Sequence, residues 1–322
     1  MNNTKSFRIV FMGTPDFAVE SLKSLIDFGF NIVGVVSNVD KPSGRGQKTR
    51  RSAVSEFAIA NELKLFQPPN LKDEQFIKQL SNLEADLFVV IAFRMLPAVV
   101  WKIPKSGTIN LHASLLPNYR GAAPINWAII NGEKETGITT FFINEEIDKG
   151  SIIFQEKITI EPADNAGTLH DKLMISGAEL IRKTVDSIYE NSNPNIHQSK
   201  LTDGNKTLKA APKIFKEDCK INWEADIYLI QNFIRGLCPF PAAWTEVIDQ
   251  NKLIFSLKIF VSEMIVEKHE YMNKTTISDG KKYLKIAVNR GFISIIELQI
   301  AGKKRMKIED FLRGFKKEIK IL

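Results

Sequence analysis

The sequence predicts an α/β protein in two parts, a Rossmann-like parallel-sheet domain followed by a smaller β-rich, OB-like barrel domain. Three observations carry this expectation. Near-continuous apolar runs alternate with helical patterns through the first half, as strands covered by helices on both faces require. A polar stretch, NSNPNIHQSKLTDGNK at 191–206, then interrupts the pattern. Beyond it, short β-rich runs recur between Gly, Asp and Asn, the signature of a small barrel or sandwich. At 322 residues and 44% hydrophobic the chain has room for two ordinary domains. The expected division is 1–191 for the first domain, 192–208 for a linker and 209–322 for the second.

The elements follow in order. FRIVFMG (7–13) reads as a buried strand closed by a turn at GTPDF, and DFAVESLKSLIDFG (16–29) has helical spacing with a glycine stop. NIVGVVS (31–37) is β-branched, and ADLFVVIAF (85–93) and GTINLHA (107–113) are two further buried strands. After TGITTFFINEEIDKGSIIFQEKITI comes a helical pattern from Leu169 to Glu190. In the second domain KLIFSLKIFV, YLKIAV and FISIIELQI supply the strands. Neither an internal repeat nor a low-complexity tract is present.

Composition narrows the function. The apolar run LFVVIAF at 87–93 is far shorter than the roughly 20 residues of a membrane span, and MNNTKSFRIVF lacks the apolar centre of a secretion signal. A cytoplasmic, monomeric protein without membrane contact is expected. Cys219 and Cys238 are too few for a disulfide framework or a zinc cluster, so no metal is expected. Residues 201–322 hold 22 Lys and Arg against 15 Asp and Glu, so the whole formal charge of +7 lies there. A basic domain attached to a neutral one suits solubility, and equally a polyanionic partner.

Gly13 follows a strand and precedes a helix, which invites a dinucleotide reading. However, FMGTPDFAVE has one glycine where G-x-G-x-x-G needs three, and its proline removes a donor. The centre of the chain is more informative. In a strand, residues i and i+2 face the same way, so Asn110 and His112 project side by side near a strand C-terminus, where open α/β sheets place their sites. A carboxamide donor and an imidazole at one point suit an oxyanion and a proton in acyl transfer. Asp148, at a Gly-containing turn after another strand, is the best carboxylate to complete the set, whereas Glu145 and Glu146 read as solvated loop charges. Singly, a histidine more often packs and an Asp before Lys-Gly is often a turn former. Tyr119 and Trp127 either line the pocket or pack beneath it.

The phrase NLHASLLPNYRGAAPINWAIINGEKETGITTF, followed by IDKG, resembles the 10-formyltetrahydrofolate-dependent formyltransferase family. The similarity extends to VFMGTPDFAV, DKPSGRGQK, INWEADIYLIQNFIRGLCPFPAAW and LQIAGKKRM, and so spans nearly the whole chain. It implies that Asn110, His112 and Asp148 are the catalytic trio, that Ser114, Leu115, Leu116 and Pro117 form the folate-binding loop, and that 10-formyltetrahydrofolate is the cosubstrate. Where members carry Tyr-Gly after the strand lining the pterin pocket, this chain reads Phe93, Arg94 and Met95, and backbone groups are expected to meet the pterin there. The trio is shared by members that formylate nucleotide-linked sugars and by a hydrolase that passes the formyl group to water. The resemblance implies initiator methionyl-tRNA as the acceptor, and two features of the sequence favour a tRNA. The Gly-rich insertion at 40–51 carries Lys41, Arg45, Lys48, Arg50 and Arg51 against Asp40 alone, and AGKKRMK presents Lys303 and Lys304 in the basic domain. Arg45, Lys48, Arg50, Arg51, Lys303 and Lys304 are therefore the expected tRNA contacts.

Overall fold

The computed structural model describes residues 6–43, 48–201, 207–314 and 319–322. The chain forms two compact units, one of residues 1–121, 136–158 and 170–210, the other of 122–135, 159–169 and 211–322. The second unit thus takes in two segments from the N-terminal half of the sequence.

In chain order the first half contains β1 (Arg8–Gly13), α1 (Asp16–Asp27), β2 (Asn31–Val36), β3 (Lys41–Ser43), β4 (Lys48–Arg50), α2 (Ala53–Ala60), β5 (Leu65–Phe66), α3 (Glu74–Ser81), β6 (Leu87–Ile91), α4 (Ala98–Trp101), β7 (Thr108–His112), β8 (Arg120–Gly121), α5 (Pro124–Ile130), β9 (Glu135–Phe142), β10 (Ile152–Thr159) and α6 (Ala166–Tyr189). The main sheet has the order β10-β9-β7-β6-β1-β2-β5. β5, β2, β1, β6 and β7 run parallel, and β9 turns antiparallel against β7. The five-strand parallel core is therefore extended at one edge by an antiparallel addition, which apolar runs alone do not reveal.

Burial explains the core. Every residue of β6 is buried, as is β1 after Arg8. α1 buries Phe17, Ala18, Ser21, Leu22 and Leu25, one stripe of a 3.6-residue period. Chain order reverses on either side of β1, and such a switch point opens a crevice at the strand C-termini. Register aligns those ends, with Gly13 beside Ile91 and Ile91 beside Leu111.

The second unit comprises α5 with β11 (Ala210–Ala211), α7 (Ile227–Leu237), β12 (Ala243–Asp249), β13 (Ile254–Val266), β14 (Thr276–Ser278), β15 (Leu284–Val288), β16 (Gly291–Ile300), β17 (Met306–Lys307), α8 (Ile308–Gly314) and β18 (Ile319–Ile321); Ala210 is the last residue of the first unit. Its sheet runs β14-β15-β16-β13-β12-β18, with β17 on β16. The two ends approach each other, since the Thr276 hydroxyl donates to the Ile319 carbonyl at 2.5 Å. The result is the nearly closed, OB-like antiparallel barrel that the short β-rich runs predict. α7 buries Ile227, Ile230, Ile234 and Leu237 on one face and packs on β13 and β16, while α5 packs against α7. Among the described residues no helix is long and apolar enough to cross a membrane.

Gly137 couples the sheet to the loop after β7. A Cβ there would lie 2.1 Å from the Glu156 carbonyl oxygen and 2.6 Å from Leu115 Cδ2. Gly137→Ala must therefore push β10 or the 114–117 loop aside, at a cost of about 1–3 kcal/mol. Thermal unfolding should show a Tm lowered by several degrees, and an unchanged Tm would contradict this close approach.

Candidate active site

β7 carries Asn110 and His112 on one side of the sheet, as their spacing requires, with Asn110 opposite Phe141 and His112 opposite Thr139. His112 is buried at 7% exposure, and Asn110 is half-buried. The imidazole Nε2 lies 2.8 Å from the Tyr119 carbonyl. A carbonyl only accepts, so Nε2 carries the proton and the Nδ1 lone pair of the neutral ring is left available. Nδ1 faces Asp148 Oδ2 at 3.9 Å, an ion-pair distance and too long for a direct hydrogen bond. Among the described residues, the Asn110 carboxamide makes no hydrogen bond.

Asp148 lies between β9 and β10 with a left-handed φ of 53°. Its Oδ2 accepts from the Gly121 N–H at 3.0 Å, and its carbonyl accepts from Arg120 Nε at 3.1 Å and Gln198 Nε2 at 2.9 Å. Gln198 also donates to the Gly150 carbonyl at 2.9 Å and accepts from Arg120 Nη2 at 2.5 Å. Gly150 must be glycine, because a Cβ there would meet the Phe142 oxygen at 1.6 Å. Glu145 pairs with Lys102 and Glu146 with Lys149, both on the surface, where they leave Asp148 as the carboxylate beside the imidazole.

The 114–117 segment is fastened by its polar atoms. Ser114 Oγ donates to the Asn118 carbonyl at 2.7 Å, and Thr139 Oγ1 donates to the Ser114 carbonyl at 2.6 Å. The Leu116 N–H donates to Thr139 Oγ1 at 3.2 Å, while Gln155 Nε2 donates to the Leu116 carbonyl at 2.8 Å. Ser114, Leu116 and Pro117 are buried, and Leu116 packs with Phe141 and Ile152. Leu115 is half-buried over Gly137.

At the end of β6, Arg94 donates to the carbonyls of Pro68 and Pro69 at 2.8 and 3.1 Å, and its guanidinium lies 5.3 Å from the Phe93 ring centre. Burial holds its pKa below the usual arginine range. Arg94 thus ties two loops together, while Met95 is 74% exposed. Tyr119 is buried, and Trp127 Nε1 donates to the Pro212 carbonyl at 2.8 Å.

β3 and β4 form a hairpin at the basic insertion. Arg45 lies outside the described residues, as does the side chain of Lys48. Arg50 and Arg51 are exposed, and Arg51 Nε lies 3.8 Å from Asp40, whose Oδ1 accepts from Gln67 Nε2 at 2.7 Å. Lys303 and Lys304 are exposed between β16 and β17. Cys219 and Cys238 are buried free thiols whose pKa burial raises. Among the described residues no cluster of His, Cys, Asp or Glu could hold a metal.

Arg120 and Gln198, which hold the Asp148 main chain, are residues that sequence patterns did not single out. Arg120 sits inside the motif, next to Gly121, where its charge was a usable signal. Gln198 falls in the stretch read as a linker, 50 positions from Asp148, and no local pattern marks it.

The fold and sequence define the class of protein. The family model described as formyl transferase matches residues 7–185, and the one described as formyl transferase, C-terminal domain, matches 213–316. In solved structures, the N-formyltransferase from Helicobacter canadensis in complex with folinic acid and dTDP-3-aminofucose has the same fold, with a TM-score of 0.62 at 23% identity, covering 93% of this chain and 100% of that one. HypX from Aquifex aeolicus in complex with tetrahydrofolic acid gives 0.63 at 16% identity, covering 95% of this chain and 46% of that one. The methionyl-tRNA formyltransferase of Bacteroides thetaiotaomicron is 51% identical over 97% of both chains, and that of Flavobacterium johnsoniae is 51% identical over 98% of this chain and 99% of its own. The chain belongs to the methionyl-tRNA formyltransferase family, and it is an enzyme of formyl transfer.

Gln198→Leu removes the side-chain bonds to Asp148, Gly150 and Arg120. A misplacement of about 1 Å can cost about 10²-fold in rate. Steady-state kinetics should therefore show kcat falling toward that level in a protein that still folds by circular dichroism, and wild-type kcat would remove Gln198 from the site.

Proposed function

We propose that the chain moves the formyl group of 10-formyltetrahydrofolate to the amino group of methionine on initiator tRNA. The observation that carries the chemistry is the Asn110 carboxamide, which makes no hydrogen bond among the described residues, on the same strand as His112, whose Nδ1 lies 3.9 Å from Asp148. 10-Formyltetrahydrofolate supplies the formyl carbon on N10. A carboxamide with unspent donors at the strand C-termini fits a formyl oxygen that gains negative charge as the amine adds. Such a donor is worth about 3 kcal/mol of barrier.

The His112 side chain supplies the base. Its Nε2–H is held on the Tyr119 carbonyl, so the Nδ1 lone pair takes the proton that the attacking amine must lose. Once protonated, Nδ1–H is a second donor, and the Asp148 carboxylate faces its charge. That proton then passes to the leaving N10. The segment Ser114, Leu115, Leu116 and Pro117 offers the folate its main chain and shape, because its anchored side chains are committed to the scaffold. Phe93, Arg94 and Met95 hold the neighbouring wall.

For the acceptor, support comes from 51% identity over nearly the whole of both chains and from the net charge of +7 carried by residues 201–322. Arg45, Lys48, Arg50 and Arg51 on the insertion, with Lys303 and Lys304 on the barrel, are the residues proposed to meet tRNA phosphates. The rival acceptors are a nucleotide-linked sugar and water. Supplied with 10-formyltetrahydrofolate and each acceptor in turn, the enzyme should formylate charged initiator tRNA, and preferential release of formate or formylation of a sugar nucleotide would sink this reading.

Two sets of variants test the parts. His112→Ala should lower kcat about 10²- to 10⁴-fold and Asn110→Ala about 10²- to 10³-fold, and the double variant should lose less than the product because the groups act as a unit. Near-normal turnover in folded His112→Ala would refute its role. Each phosphate neutralised contributes about 0.7–0.9 to the slope of log affinity against log salt, so replacing Lys303 and Lys304 with Gln should flatten that slope by roughly one to two. An unchanged slope would remove these lysines from the tRNA contact.

A further inference from the structure

The second unit presents one aromatic ring on a backbone held at both sides. Phe240 is 79% exposed, while Cys238, Ala242 and Ala243 around it are buried. The Cys238 carbonyl accepts from the Gly167 N–H at 3.1 Å, and the Ala242 N–H donates to the Leu237 carbonyl at 2.9 Å. Pro239 lies so close to Gly167 that a Cβ there would meet its Cδ at 2.7 Å, and the Pro241 carbonyl accepts from Lys258 Nζ at 3.0 Å. Single exposed aromatics are common on protein surfaces. Phe240 differs in that its flanking backbone is already ordered, so a partner meeting the ring loses little conformational entropy.

The surroundings are cationic and aromatic. β12 pairs Trp244 with Lys258, and β13 pairs Lys258 with Gln299, all half-buried, while Ala243, Leu257, Ile259 and Leu298 next to them are buried. Trp244, Lys258 and Gln299 therefore stand on the outer face of the barrel. Lys220 Nζ lies 5.4 Å from the Trp244 ring centre and pairs with Glu246, and the Arg305 guanidinium lies 4.5 Å from that of Phe260 and pairs with Glu297, which leaves Lys303 and Lys304 as exposed cations of this face without an ion pair among the described residues. Lys258 Nζ holds the Pro241 carbonyl, and its strand neighbour Gln299 donates through Nε2 to the Lys303 carbonyl at 2.7 Å, which links the Phe240 loop to the turn that carries Lys303 and Lys304. Lys303 and Lys304 are exposed in the same turn as Arg305.

A rigid ring beside several cations suits a chain of bases and phosphates better than an apolar protein surface. Paired bases keep their faces stacked on one another, so a ring standing on a surface can only meet a base that is splayed out. We infer that Phe240 is a stacking platform for an unpaired base of the RNA acceptor, with Lys303 and Lys304 meeting adjacent phosphates. This rests on the RNA-acceptor reading above and adds to it the chemical feature that is gripped.

The test uses the full-length enzyme as wild type, Phe240→Ala, Phe240→Trp and the Lys303→Gln/Lys304→Gln pair, with charged initiator tRNA titrated at several salt concentrations. Phe240→Ala should raise the tRNA Kd about five- to a hundredfold, as loss of one base stack does, and the loss should appear in KM for tRNA rather than in kcat. Its salt slope should match wild type, since stacking releases no counterion, whereas the lysine pair should flatten the slope. Phe240→Trp should restore affinity. Wild-type affinity in Phe240→Ala, with the lysine pair still flattening the slope, would overturn the platform and leave the RNA reading standing. Failure of Phe240→Trp to restore binding would also overturn it, because any aromatic face stacks. Failure of the wild type to bind the tRNA would remove both readings together.

Discussion

The hydrogen bond between the Tyr119 carbonyl and His112 Nε2, at 2.8 Å, is the constraint on which the proposed site depends. It fixes the proton on one ring nitrogen and leaves the other basic. Much of the surrounding structure serves to hold that carbonyl in place. Tyr119 adopts a left-handed φ of 59°, and its own N–H donates to the Lys209 carbonyl at 2.5 Å. Asn118 on one side is held by Ser114 Oγ and by the Lys209 N–H. Loss of any of these bonds frees the carbonyl, and with it the tautomer.

The distribution of satisfied and unsatisfied polar groups follows the same logic. A buried polar group without a partner costs about 1–3 kcal/mol, so folded proteins pair nearly all of them. Here Ser114, Thr139, Gln155, Arg120 and Gln198 spend their capacity on main chain and on each other. The Asn110 carboxamide, half-buried on β7, makes no hydrogen bond among the described residues. A donor kept idle in a rigid frame needs no reorganisation when charge develops opposite it, and that is what an oxyanion site requires. Asn110 stands on β7, in register with Val90 of β6, one strand removed from β1 where the strand order reverses.

Much of this was legible in the sequence, because period-2 and 3.6-residue patterns report which face of an element is buried. α1 and the same-side placement of Asn110 and His112 rest on such patterns, whereas near-continuous apolar runs mark the parallel strands and short β-rich runs between turn residues mark the barrel. Asp148 was visible through its Gly-containing turn. Other features have no local signature. The antiparallel direction of β9 is set by its connection, and α5 groups with the second unit because its apolar side finds α7 some hundred positions later. Gln198 lies in a polar run that looks like a linker, yet it is 3% exposed and holds the backbone of Asp148. Side-chain to main-chain bonds of that range are fixed by tertiary packing and leave no periodicity to read.

The most direct test is nitrogen NMR of the His112 ring in full-length enzyme labelled with 15N-histidine, at a pH where the imidazole is neutral. The expected result is a protonated Nε2 and a bare Nδ1, with the Nε2 proton protected from exchange by the Tyr119 carbonyl. A proton on Nδ1 would place the lone pair on the side of that carbonyl, where no amine proton can be delivered, and would contradict the assignment of His112 as the base.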